Sequence, residues 1–326
     1  MKDAGIFNKN LIYRVLQKIC HELNTWHRFR VFPSQNQNII IMKFNKILIP
    51  TELDDLSLTA TKFALKLAEQ LKIREVILLN IIIPAQSQAM AASGGAANAP
   101  VALTGQFNTT IEEKHRNMAE KIADEHSTDS VRLIPEVRFS GNKSNLNAYM
   151  EEFDAGLIVA GSRDHHTFLE KLFGSQTHRM IHRTDYPMII LKNDGSETYV
   201  KEIALAIDVK EKEQKGINDI IEFAEKINAK LQLVHVIAED EDMTPEEAIE
   251  KLRVLAEEKN LSNHAINVIN NNNLEEGLRH FIRKYNPGML AVLTEGKGKL
   301  KKLIYGSSAE EIMKETDKPV LVNKMS

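Results

Sequence analysis

From Lys46 onward, apolar positions along the chain follow two alternating rhythms. Residues 47–50 form a short apolar run, residues 57–72 place Ala60, Phe63, Ala64, Leu67, Ala68 and Leu71 three or four apart, and residues 76–83 are again almost wholly apolar. Spacing of three and four predicts a helix buried along one stripe, whereas an unbroken run predicts a strand covered on both faces, as in a parallel sheet. The same grammar continues with a helix at 109–126, a strand at 131–139, a helix at 142–153, a strand at 157–160, a helix at 175–183 and a strand at 188–191. Residues 84–106 are rich in Ala, Ser, Gly, Gln and Asn without a period, and are expected to be an irregular excursion in a crossover.

The order then begins again, with strands at 203–207, 231–237, 265–269, 289–293 and 320–322, and helices at 216–228, 244–259, 274–285 and 307–314 between them. Gly174-Ser175 matches Gly306-Ser307, and at the same offset Thr184-Asp185-Tyr186-Pro187 matches Thr316-Asp317-Lys318-Pro319. Glu52 matches Asp208, and Ala68-Glu69 matches Ala224-Glu225. Self-similarity in this fixed order is the mark of an internal repeat. The fold expected is α/β, two tandem open parallel five-stranded sheets with helices on both faces, as domains at 43–194 and 198–326.

Residues 1–42 stand apart. They hold the lone cysteine, Cys20, and the lone tryptophan, Trp26, and end at Met42 directly before the first convincing strand. Leu11, Ile12, Val15, Leu16, Ile19 and Leu23 could line one face of a short helix that docks a partner or a membrane surface; a leader read from an upstream start is the reading favoured. A length of 326 residues fits two modest cores, and 43% hydrophobic with 27% charged residues is the balance of an ordinary globular protein. A formal net charge of −3 gives no general attraction to nucleic acid or membrane. One cysteine excludes a disulfide within the chain and any Cys-based zinc site, which fits a reducing cytoplasm. No apolar run approaches the roughly 20 residues that span a bilayer, and the N-terminus lacks the order of a secretory signal.

In an open parallel sheet, ligands sit beyond the carboxyl ends of the strands, where glycine lets backbone N–H groups approach phosphate. After its fourth strand the first copy has Gly161-Ser162-Arg163-Asp164, nine residues, then Gly174-Ser175; the second has Leu293-Thr294-Glu295-Gly296, nine residues, then Gly306-Ser307. At the end of the first strand stand Ile49-Pro50-Thr51-Glu52 and Ala206-Ile207-Asp208. These phrases resemble the universal stress protein family over about residues 43–194 and 200–326. Its nucleotide-binding members carry Gly, two residues, Gly, nine residues and Gly-Ser or Gly-Thr, with an Asp closing strand one. The resemblance implies an adenine nucleotide alpha hydrolase-like, Rossmann-like fold, and an intramolecular pseudo-dimer joined through strands 188–191 and 320–322. Both strands are apolar and led by proline, and each would otherwise be an exposed sheet edge.

It also implies a stress-responsive regulatory module binding ATP or AMP, with Mg²⁺ accompanying ATP. The candidate contacts are Asp208, Gly296, Gly306 and Ser307 in the second copy, and Glu52, Gly161, Gly174 and Ser175 in the first. Both loops depart from the family pattern, since Asp164 replaces one glycine and Leu293 another. A carboxylate about 5 Å from a phosphate charge opposes binding by roughly 3 kcal/mol at an effective dielectric near 20, on the order of a hundredfold in affinity. Leu293 adds bulk but no charge, and Lys297, Lys299, Lys301 and Lys302 lie beside that loop, so the second copy is the better nucleotide site. A rival expectation is a nucleotide-independent interaction scaffold in which both loops have drifted. An unnamed protein partner is expected in either case, with no nucleic acid and no membrane, and room for two chains to associate further. His178 and His182, with His165 and His166, have a spacing that zinc ligands sometimes show, but no carboxylate or cysteine partner is evident. No hydrolase motif is present, so slow ATP hydrolysis is the most an enzymatic reading can claim.

Overall fold

The computed structural model describes residues 45–82, 101–139, 146–162, 184–192, 199–210, 216–239, 241–293 and 318–323, all within one compact unit, Ile39–Ser326. In its first half, β1 (Ile47–Thr51) leads to α1 (Asp55–Leu71), β2 (Glu75–Ile82), α2 (Val101–His126), β3 (Arg132–Phe139), α3 (Asn147–Phe153), β4 (Leu157–Ser162) and β5 (Met188–Lys192). The second half follows with β6 (Glu202–Ala206), α4 (Ile217–Lys226), β7 (Lys230–Ala238), α5 (Pro245–Glu258), β8 (His264–Asn271), α6 (Leu274–Tyr285), β9 (Met289–Leu293) and β10 (Val320–Asn323).

The strands run in the order β3-β2-β1-β4-β5-β10-β9-β6-β7-β8. Each half is parallel throughout, and the two meet in one antiparallel pair, with Met188 opposite Val322, Ile189 opposite Leu321 and Ile190 opposite Val320. Under the offset that matches Pro187 to Pro319, Ile189 is the counterpart of Leu321, so equivalent strands face each other about equivalent residues. The two five-stranded sheets expected from the pattern are thereby merged into one ten-stranded sheet.

Strand alternation sends odd and even residues into separate cores. On one face Ile47, Ile49, Leu78, Val159, Ile189, Leu205, Leu233, Ala291 and Leu321 are buried beneath α1, α2, α4 and α5. On the other, Leu48, Ile77, Ile158, Ile190, Ala204, Val234 and Val322 pack against α3 and α6. Both layers run without a break through the β5/β10 junction.

Helix α2 and strand β8 extend past the pattern-based expectation. Helix α2 starts at Val101, so residues 101–106 are helical and not part of the excursion. Gly105, whose helix penalty is about 1 kcal/mol relative to Ala, interrupts the apolar period there. Strand β8 continues through Asn270 and Asn271, which pair with Ile237 and Ala238. Ladder pairing overrides the turn preference of Asn at those two positions, while Asn273 caps α6 by accepting from the Glu276 N–H at 2.8 Å. The leader 1–42 and the helices expected at 175–183 and 307–314 lie outside the described residues.

Candidate functional site at the two switch points

In each half the chain leaves the first strand to one side and returns to its other side at the fourth, which makes β1/β4 and β6/β9 the points where strand order reverses. The ladders end early at both. β1 stays paired with β2 as far as Thr51 and Asn80, and β4 with β5 as far as Ser162 and Lys192, yet the last β1–β4 pair is Leu48 with Ile158. Likewise β6 reaches Ala206 beside β7 and β9 reaches Leu293 beside β10, but the β6–β9 ladder stops at Leu205 and Ala291. Neighbouring strands that part before their carboxyl ends open a crevice between them.

The first crevice has Glu52 immediately after β1, exposed, and Gly161 buried as the second-last residue of β4. Gly161 thus belongs to the strand, where Leu191 pairs with it, and not to the loop beyond. The backbone leaving β1 is tightly wound. Leu53 has φ 62°, in the left-handed region that a branched side chain enters at a cost, and its N–H donates to Thr51 Oγ1 at 2.8 Å. The Glu52 N–H donates to Ser57 Oγ at 3.2 Å, and Asp54 caps α1 by accepting from the Ser57 N–H at 2.9 Å and its hydroxyl at 2.7 Å.

In the second crevice Asp208 follows β6 by two residues and is half-buried. Its Oδ1 accepts from the Lys210 N–H at 3.0 Å, a local turn that orients the carboxylate. Lys210 Nζ in turn lies 3.5 Å from Glu241 Oε2, tying the loop after β6 to the loop after β7.

Beneath both acids is a feature that motif reasoning missed. Asn80, buried at the end of β2, donates from Nδ2 to the Thr51 carbonyl at 2.9 Å. Its Oδ1 is therefore turned to His115 on α2, 2.8 Å away, which places the imidazole proton on Nδ1. Burial, and then the charge of Lys114, holds the His115 pKa below its ordinary value. At the matching place in the second half, buried His235 lies with Nδ1 2.9 Å from the Ile207 carbonyl. Since a carbonyl only accepts, that nitrogen is the protonated one, and Nε2 faces Glu241 Oε2 at 3.6 Å. Each half thus uses one buried polar side chain on its second strand to hold the carbonyl just before its acidic residue. The signal in the sequence was a lone polar residue in the apolar run 76–82, with a counterpart at the same depth of the repeat.

Gly174, Ser175, Gly296, Gly306 and Ser307 lie outside the described residues, as do Asp164, His165, His166, His178, His182 and the lysines at 297–302. Among the described residues, no group of three or more His, Cys, Asp or Glu side chains could hold a metal ion. No described helix is long and apolar enough to cross a membrane.

The universal stress protein family model matches the chain twice, over residues 43–192 and 200–324, each match spanning one set of five strands. The chain belongs to the universal stress protein family. Among solved structures, a universal stress protein from Archaeoglobus fulgidus DSM 4304 superposes with a TM-score of 0.56 at 16% identity, covering 88% of this chain and 98% of that one. A functionally unknown protein from Pseudomonas aeruginosa PAO1 gives 0.52 at 14% identity, covering 87% and 94%. At such identities the likeness is one of fold. Against the curated proteins no match is found.

Proposed function

We propose that this universal stress protein is a regulatory module of the cytoplasm that binds an adenine nucleotide in the crevice between β6 and β9 and passes its bound state to a protein partner. The observation that carries the reading is the early end of the β6–β9 ladder beside the oriented carboxylate of Asp208. A carboxylate there can accept hydrogen bonds from ribose hydroxyls, while a phosphate chain is assigned to backbone N–H groups at Gly296, Gly306 and Ser307, and Mg²⁺ would accompany ATP to offset its charge. The two matched segments are read as two domains, 43–194 and 198–326.

What favours the second half is chemical. Asp208 is held by a short turn and lies against Lys210, whereas Glu52 has a longer, exposed side chain whose ordering would cost more rotamer entropy. The first half contributes Glu52, Gly161, Gly174 and Ser175 as a weaker site, opposed by Asp164.

Calorimetric titration of the full chain with AMP and with ATP plus Mg²⁺ tests this. Loss of hydrogen bonds to a charged partner costs about 1.5–3 kcal/mol, so Asp208→Ala is expected to weaken binding roughly 10- to 150-fold, with Glu52→Ala close to the parent. Equal affinity in parent and Asp208→Ala would remove the site from the second half.

A further inference from the structure

The two outer edges of the ten-stranded sheet are built differently. At one end β3 presents Arg132, Glu136 and Arg138 together with Pro135; at the other, β8 runs from His264 to Asn271 with no Asp, Glu, Lys, Arg or Pro. Charge and proline are the usual means of keeping an open edge from taking up another strand.

The ladders show that Pro135 stands where it has this effect. Arg132 donates its N–H to Arg74 of the inner neighbour, so by alternation the backbone at 133, 135 and 137 faces outward. Proline at 135 leaves that outward row without a donor. In the second half the Leu231 N–H donates to the Asn263 carbonyl, which turns the backbone of His264, Ile266, Val268 and Asn270 outward. Pro135 pairs with Leu78 and Ile266 with Leu233, each two residues before the buried polar residue, Asn80 or His235. Ile266 thus occupies in the second half the place that Pro135 occupies in the first, and leaves the outward donor in place. Among the described residues β8 has one strand neighbour, β7.

We infer that the β8 edge is a homodimer interface, where β8 pairs antiparallel with β8 of a second copy about a twofold axis at Asn267. A second copy suits this edge because a strand without charges meets no like charge when it pairs with itself. Outward positions then face outward positions, Ile266 opposite Val268 and His264 opposite Asn270. Ile266 and Val268 already pack against the core beneath α5, so their pairing extends that core into the partner. Helix α5, which lies on β8, also keeps two large apolar side chains in solvent, Ile249 at 36% and Val254 at 43% exposure. The chain already joins its own halves by antiparallel pairing of equivalent strands at β5 and β10, so the proposed contact repeats a geometry the sheet accommodates.

Sedimentation velocity on the full chain over a micromolar concentration series is expected to show a dimer. Ile266→Pro removes only an outward N–H, which an edge strand tolerates, and is expected to sediment as a monomer with an unchanged far-ultraviolet spectrum. Register is tested separately in a Cys20→Ser background. Residues facing each other at a non-hydrogen-bonded site have Cα atoms about 4.5 Å apart, within disulfide reach, so Asn267→Cys is expected to oxidise to a covalent dimer. Ala265→Cys, which faces Ile269 of the partner, is expected not to. A parent that stays monomeric overturns the inference, as does a folded Ile266→Pro that remains dimeric. So does equal cross-linking at 265 and 267, which decides the matter even if the proline variant does not fold.

Discussion

Asn80 and His235 have the same task with different chemistry, each donating to a backbone carbonyl at the mouth of a crevice. Asn80→Leu keeps volume but removes the side-chain hydrogen bond to the Thr51 carbonyl, which keeps its ladder bond to β2, and leaves the His115 Nδ1 proton unsatisfied at a cost of about 1–3 kcal/mol; chemical denaturation should show a loss in that range. His115 adds a pH dependence of known sign. Its folded pKa lies below the ordinary 6.5, so the folded state prefers the neutral ring, and the associated stability, present above about pH 6.5, is lost as pH falls through the ordinary value towards the folded one. Thermal midpoints should therefore drop more between pH 7 and pH 5 in the parent than in His115→Gln. At this scale the acids Glu52 and Asp208 were legible because the repeat places them at matching strand ends. The supporting side chains were not, because a polar residue within an apolar strand announces burial without naming its partner.

Among the elements, those with strong local signals were legible and those shaped by tertiary pairing were not. Thr244 and Glu247 form a reciprocal capping box that encloses Pro245 in the first turn, and α5 begins there as the sequence suggests. Helix α2 outruns its sequence pattern across Gly105, and strand β8 outruns its own into the Asn run, where pairing with β7 outweighs weak local preference. Gly277 shows the constraint from packing most sharply. A Cβ added there would lie 2.8 Å from Val236 Cγ2, so α6 can approach β7 only because this residue has no side chain. Gly277→Ala gains helix propensity but overpacks the α6/β7 contact, and is expected to destabilise by about 1–3 kcal/mol in a urea titration. If the variant were more stable than the parent, the close approach would not be limiting.

Across the whole molecule, the merging of two sheets determines how the protein should unfold. Leu321 and Ile189 are fully buried at the centre of the antiparallel junction, and the Gln70 side chain of α1 bonds the backbone of Val200 near β6, with Nε2 to the carbonyl at 3.5 Å and Oε1 to the N–H at 3.4 Å. Cores that continue across the junction predict one cooperative unfolding transition in calorimetry. Leu321→Ala should cost about 2–5 kcal/mol and separate that transition into two, since it opens a cavity where the halves meet. The parallel order within each half was readable from the repeat, while the joining of the last strands was implied by the family resemblance and supported by the proline-led apolar endings at 188 and 320. What the repeat could not convey is the unequal treatment of the two outer edges, which emerges only when Pro135 and Ile266 are placed in register.

Ligand-induced stabilisation of the full chain is the measurement on which the proposed function rests. A ligand that binds only the folded state at about 100 times its Kd stabilises it by about 2.7 kcal/mol, readily seen in a thermal scan. Titration with AMP and with ATP plus Mg²⁺ should raise the midpoint saturably, and Gly306→Val, which puts a branched side chain where a phosphate would approach the backbone, should abolish the rise. A midpoint unmoved by any adenine nucleotide up to millimolar concentration would contradict nucleotide binding and leave a nucleotide-independent interaction scaffold in its place.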